Sequence, residues 1–189
     1  MPLFKNSKIE LDRTIKNTLS ELPDGERGNR STVDFMIKIA KEKCNHPLIR
    51  QTAIQIINKA HTESHNHLDE AIAIGEYVQK NMKYMKDPVD QELLQDPVMV
   101  VEQMEKGIAR GDCDDMSLVI ATLLLSLGIR PYFKIVRWKK TSGNFNHIYI
   151  MVHEGNYKEK KQWFALDAII KDKPIGYEIQ SASSEKIPV

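Results

Sequence analysis

Cysteine is scarce in this chain of 189 residues, with only Cys44 and Cys113. Two thiols make no disulfide framework, so the fold must rest on its core. A run of about 18 apolar residues is also lacking, and no transmembrane helix is expected. The opening MPLFKNSKIELDR has no apolar signal-peptide centre, which makes the cytoplasm the expected compartment. There is no excess of either charge. Lys and Arg number 27, Asp and Glu 26, and residues 1–85 carry 13 basic side chains against 11 acidic. No basic stripe is left for phosphates, so neither nucleic acid nor membrane is an expected partner. Repeats and low-complexity segments are missing too.

At about 150 residues per domain, the length suits one domain with a small appendage. Residues 1–67 read as a helical N-terminal region. Ser7 and Glu10 form a capping-box signal ahead of Ile9, Ile15, Leu19 and Leu22, and Pro23-Asp24-Gly25 ends that helix. A second helix starts from the Ser31 and Asp34 signals and breaks at Asn45-His46-Pro47. A third is expected over about 48–60 and a fourth over about 68–84. Asp87-Pro88 and Asp96-Pro97 mark a loop at 85–97, since a proline disfavours helix at the residue before it. A short helix over about 98–106 follows, closed by Gly107.

The core is expected at residues 68–171. Asp114 to Leu127 is apolar nearly all round, the pattern of a buried central helix, with Gly128 as its C-terminal cap. Strands are expected over about 132–138, 146–153 and 162–168. Short polar linkers join them, so they should pair as an antiparallel meander. The fold class is α+β: a buried helix bearing Cys113, packed on an antiparallel sheet of at least three strands. Residues 172–189 show little pattern and read as a tail.

Three polar residues stand where a packed core has no use for them. Cys113 follows Gly111-Asp112, a turn-plus-cap signal, and so falls in the first turn of the buried helix. Unpaired N–H groups and the positive dipole end favour a thiolate there and could donate to an oxyanion. Asp112, Asp114 and Asp115 oppose that, and a nearby imidazolium would have to compensate. His147 could supply it. Alternation places His147, Tyr149 and Met151 on one strand face, and Trp163, Ala165 and Asp167 on one face of the next. In an antiparallel pair His147 and Asp167 become neighbours, so the carboxylate could orient the imidazole. Taken singly, each residue has a structural reading: a core thiol, a structural histidine, a turn-capping aspartate.

GDCDDMSLVIATLLLSLGI, then NHIYIMV, then WFALDA together resemble the transglutaminase-like superfamily of papain-like cysteine enzymes. Tyr84 to Asp87 and on through Pro97 resembles the lead-in of its small bacterial and phage members. The resemblance spans about residues 70–170. It implies a papain-like α+β unit with Cys113 as nucleophile, His147 as general base and acid, and Asp167 as its orienter. It implies an enzyme cleaving or transferring a peptide or isopeptide amide, with a protein or peptide substrate and no cofactor. Gln95 and Gln103 are available as second oxyanion donors, but nothing assigns either. The alternative is a catalytically idle fold used as a binding or phage-particle module, virion-associated and docking through the N-terminal helices.

Other candidates are weaker. His61, His65 and His67 have helical spacing, but only Glu63 and Asp69 stand near to complete a metal site. No calcium-loop motif is present. Asp114 and Asp115 diverge on a helix and are better read as helix-start charge. Cys44 reads as structural, and Trp138 and Trp163 as packing in or beside the sheet.

Overall fold

The computed structural model describes residues 9–11, 26–62, 66–87, 92–137, 145–154 and 162–189. Its elements in chain order are β1 (Ile9–Leu11), α1 (Glu26–Lys43), α2 (Pro47–Lys59), α3 (His67–Asn81), β2 (Lys83–Tyr84), β3 (Glu92–Leu94) and α4 (Pro97–Glu105). Then come β4 (Arg110–Gly111), α5 (Cys113–Ser126), β5 (Tyr132–Arg137), β6 (His147–Glu154), β7 (Gln162–Leu166) and β8 (Ser183–Pro188). None of the described helices is long and apolar enough to cross a membrane.

The centre is α5. Its apolar residues cover every side, so it can be stable only when enclosed. Helices α1 to α4 pack around it and β6 lies against it. Leu118, Val119, Ile120, Ala121, Leu123 and Leu124 are all buried. Each large aliphatic side chain among them contributes about 1.5–3 kcal/mol of transfer free energy. The helix ends as its glycine predicts. Gly128 takes φ +80°, its N–H donates to Leu125 O at 3.0 Å, and Ile129 N–H donates to Leu124 O at 3.1 Å. These paired bonds satisfy the last carbonyls of the helix.

The sheet runs β7-β6-β5-β8, with every pairing antiparallel. One face presents Phe133, Ile135, Ile148, Ile150, Val152 and Leu166 to the main core. The other gathers Val136, Tyr149, Met151 and Ala165 beside Tyr132 and Trp163. The chain leaves β7 at Asp167 and is tied to α3, where Gln79 Nε2 donates to Ile170 O at 2.9 Å. It then comes back as a strap. Gly176 N–H donates to Ala165 O on β7 at 2.8 Å, and Ala182 N–H donates to Arg137 O on β5 at 2.8 Å. Residues 176–182 thus cross the second face from one strand to the other.

The structure departs from the patterning in five places. Ile9–Leu11 is a strand paired parallel with β3, not part of a helix, because Ile-Glu-Leu fits strand alternation as well as a helical stripe. The rest of that expected helix and the turn at 23–25 lie outside the described residues. Helix α1 begins at Glu26, ahead of the Ser31 signal. Helix α3 stops at Asn81, where Lys83 N–H turns to Ala109 O and Met85 N–H to Gly111 O, forming the parallel pair β2–β4. The loop at 85–97 contains β3. Residues 183–188, read as patternless tail, form β8 and extend the meander to four strands. The expected strand over 132–138 is present as β5 over Tyr132–Arg137, and Trp138 lies outside the described residues.

Candidate active site

The start of α5 is fixed by a dense polar arrangement. Asp112 is its N-cap, and Asp112 Oδ1 accepts from the N–H groups of Asp114 (3.0 Å) and Asp115 (3.4 Å). Those bonds satisfy two of the donors that every helix start leaves open. They leave the Cys113 N–H out of the cap. Asp115 points inward and is buried. Its carboxylate accepts from Gln95 N–H at 2.9 Å and from Gln95 Nε2 at 2.7 Å. Gln95 Nε2 also donates to Arg110 O at 2.7 Å. An amide nitrogen has two hydrogens and both are committed. Gln95 is therefore a brace between β4 and α5, and its amide is not an oxyanion donor. Gln103 sits on α4.

Cys113 is partly buried at this helix start. Its thiol is held well above the usual value by burial first, then by Asp114 and Asp112. The S–H donates to Asp114 Oδ1 at 3.3 Å. The Ile148 N–H bonds to the sulfur and pulls the other way. The thiol thus sits beside the amide next along from His147. Helix α5 covers the opposite sheet face from the imidazole, with Ser117 Oγ donating to Ile148 O at 3.2 Å.

His147 and Asp167 are 4% and 5% exposed, and His147 Nε2 lies 2.7 Å from Asp167 Oδ2. An ionised carboxylate only accepts, so Nε2 carries the proton of this bond and a neutral ring presents Nδ1 as its acceptor. The register pairs Ile150 with Leu166. Continued by one residue it sets Asp167 opposite Tyr149, so the carboxylate meets His147 diagonally. Asp167 Oδ1 also accepts from Ile169 N–H at 3.3 Å, which fixes the carboxylate's turn off the strand.

No family model matches the chain, and no curated protein matches its sequence. Solved structures with a similar course of backbone include a candidate protease from Parabacteroides distasonis ATCC 8503. It shares 11% identity over 80% of this chain and 34% of its own, at a TM-score of 0.48. LapG of Legionella pneumophila shares 14% identity over 72% of this chain and 74% of its own, with a TM-score of 0.43. A candidate cysteine protease from Cytophaga hutchinsonii shares 16% over 79% and 46%, with a TM-score of 0.44. This chain spans about a third of the length of the first and under half of the third.

Residues that sequence reasoning did not single out complete the surroundings. Tyr149, on the imidazole's own face, stacks on His147 and donates from its hydroxyl to Glu178 Oε1 at 2.8 Å. Alternation had already placed it there; nothing in the sequence marked Glu178. Partly exposed Tyr84 lies near the thiol, and its phenol is raised by partial desolvation and then by Cys113, Asp112 and Asp114. Of the histidine trio, His67 Nδ1 engages Glu70 Oε2 at 3.0 Å and His61 is in the left-handed region at φ +53°, while His65 lies outside the described residues.

The acid cluster gives a pH-dependent stability. Burial first, then Asp114 and Asp115, push the Asp112 carboxyl up to about 9; burial pushes Asp115 up to about 7 against its Gln95 bonds. Above about pH 4 the folded chain therefore binds more protons than the unfolded one, and stability falls with rising pH until each group ionises in the fold. Asp112→Asn keeps a good N-cap and removes the charging cost. Urea melts should show it gaining about 2 kcal/mol more over the parent at pH 9 than at pH 5. That is well under the full 1.4 kcal/mol per pH unit, because water screens a partly exposed group. Equal differences at both pH values would refute this.

Proposed function

We propose that this chain is a thiol-dependent acyl-transfer enzyme of the transglutaminase-like superfamily, cleaving or transferring a peptide or isopeptide amide. The observation that carries the reading is the buried His147–Asp167 pair at 2.7 Å, set one residue from the amide that bonds the Cys113 sulfur. A nucleophile, a base and an orienter of the base are the three parts such chemistry needs.

The resting thiol is neutral, so His147 acts as a general base and not as the partner of a preformed thiolate. As Sγ bonds to the substrate carbonyl carbon, the thiol proton passes to Nδ1. Asp167 steadies the imidazolium through Nε2. The Cys113 N–H, outside the cap, donates to the developing oxyanion. The C–N bond then breaks, His147 returns the proton to the leaving amine, and a thioester remains. Water or a second amine attacks it, giving its proton to His147, and the thiol is restored.

The test is the alkylation of Cys113 by iodoacetamide across pH, read by mass spectrometry with Cys44 as internal control. His147→Ala should lower labelling of Cys113 at pH 7 at least tenfold and leave Cys44 unchanged. Beside it, a peptide pool with a tagged amine should show cleavage or amine incorporation with the parent protein and neither with Cys113→Ala. The acid-flanked thiol is the observation favouring the second reading, a binding or particle module. Labelling independent of His147, with no turnover, would establish that one instead.

A further inference from the structure

The second sheet face holds a chain of contacts that the chemistry above does not use. Tyr149 is 1% exposed. Its ring lies 5.6 Å from the His147 ring, centroid to centroid, with 30° between planes. The two residues are i and i+2 on β6, so the strand itself sets them side by side. The Tyr149 hydroxyl donates to Glu178 on the strap at 2.8 Å. The same Glu178 oxygen pairs with Lys134 Nζ. Lys134 stands 5.8 Å from the Tyr149 ring centroid, on the residue that pairs with Tyr149 across β5–β6. Burial and the bond to Glu178 push the phenol well above its usual value, so it stays a donor. Burial would raise Glu178, but its bonds to Lys134 and Tyr149 outweigh that and hold it ionised.

The Nε2 bond to Asp167 is a strong directional contact of the imidazole. One bond fixes a point on the ring but leaves rotation about the bond. A flat neighbour on the ring face removes that rotation. The neighbour is itself fixed at its far end by a charged acceptor, and that acceptor by an ammonium.

We infer that Tyr149 is a positioning residue for His147. Stacked on the imidazole and tethered through Glu178 and Lys134 to the strap at 176–182, it holds the ring in the orientation that gives Nε2 to Asp167 and Nδ1 to the thiol. This rests on the reading of Cys113, His147 and Asp167 as the reacting set. It gives the strap a part in that set's geometry.

The readouts are the pH profile of Cys113 alkylation and the His147 tautomer, seen in long-range proton–nitrogen spectra of the ring. The wild type should show the proton on Nε2. Tyr149→Leu removes the stack. It should lower the His147-dependent labelling rate at pH 7 about tenfold and give mixed tautomers, with Cys44 unaffected. Tyr149→Phe and Glu178→Gln keep the ring and loosen its tether, and each should cost two- to threefold. A folded Tyr149→Leu with the parental profile and a single Nε2–H tautomer overturns the inference. Should that variant fail to fold, the two milder ones decide: parental behaviour in both overturns it, and a loss in either upholds it. The two failures separate cleanly. Labelling of the wild type that ignores His147→Ala sinks the underlying reading, and the inference with it. Labelling that needs His147 but ignores Tyr149 and Glu178 sinks the inference alone.

Discussion

Asp167→Ala is expected to slow the His147-dependent alkylation of Cys113 at pH 7 about a hundredfold, while Asp167→Asn stays within about tenfold of the parent. The contrast follows from lone pairs. The buried imidazole gives its Nε2 proton to Asp167 Oδ2 at 2.7 Å, and an amide oxygen can accept that same proton. The ring then keeps Nδ1 as its acceptor, and only the electrostatic support of the imidazolium is reduced. Alanine removes the acceptor altogether. It leaves Nε2–H buried and unpartnered, at a cost of about 1–3 kcal/mol to stability, and frees the ring to turn. Circular dichroism and a melt should accompany the rates. A folded Asp167→Ala that labels at the parental rate would remove Asp167 from the reacting set.

Gly111→Ala is expected to destabilise the fold by about 2–3 kcal/mol and to depress Cys113 labelling in the fraction that folds. Gly111 pairs with Tyr84 in β2–β4, two residues before the thiol. A Cβ there would meet Asp115 Oδ2 at 2.5 Å and Asp115 Cβ at 2.7 Å, and would also strike the Met82 methyl. Met82 can yield, being the flexible end of a long side chain. Asp115 cannot, because Gln95 grips it with both its backbone N–H and its side-chain amide. Relief must come from shifting the first turn of α5, which carries the thiol. A Gly111→Ala protein with the parental melting midpoint would show that this turn has more slack than its contacts imply.

Much of this architecture was legible in the residues, for identifiable reasons. α5 announces itself because it is apolar on all sides and ends in glycine, and only a central helix satisfies both. The meander follows from alternation with short polar linkers. His147 and Asp167 could be placed together because strand parity and antiparallel order leave little freedom. What stayed hidden depends on partners far along the chain. β8 reads Ser-Ser-Glu-Lys-Ile-Pro, and its inward Glu185 pairs with Arg30 of α1 instead of packing as an apolar residue. Alternation of hydrophobicity therefore never shows. Gln95 looked like a free amide until Arg110 and Asp115 were seen to use it. Glu178 carries no local signal, since its role exists only where the strap crosses β6. Which sheet face α5 covers is not written in the helix, whose sides are all apolar. It covers the face opposite the imidazole, where Ile148, Ile150 and Leu166 offer apolar surface to bury.

The strap and β8 also decide how this protein meets its own kind. An antiparallel sheet ends in two rows of open backbone groups, each a template for a strand from another molecule. Without β8, the second row would belong to β5, whose Phe133, Ile135 and Val136 make an adhesive edge. β8 takes that position instead and carries Pro188, which has no N–H to offer a further strand. On the opposite side, the Gly176 N–H already occupies the Ala165 carbonyl of β7. The chain from Gly176 to Pro188 thereby pairs the whole β5 edge and takes one acceptor on the β7 edge. Cutting it away should open the β5 edge and raise the tendency of the protein to aggregate.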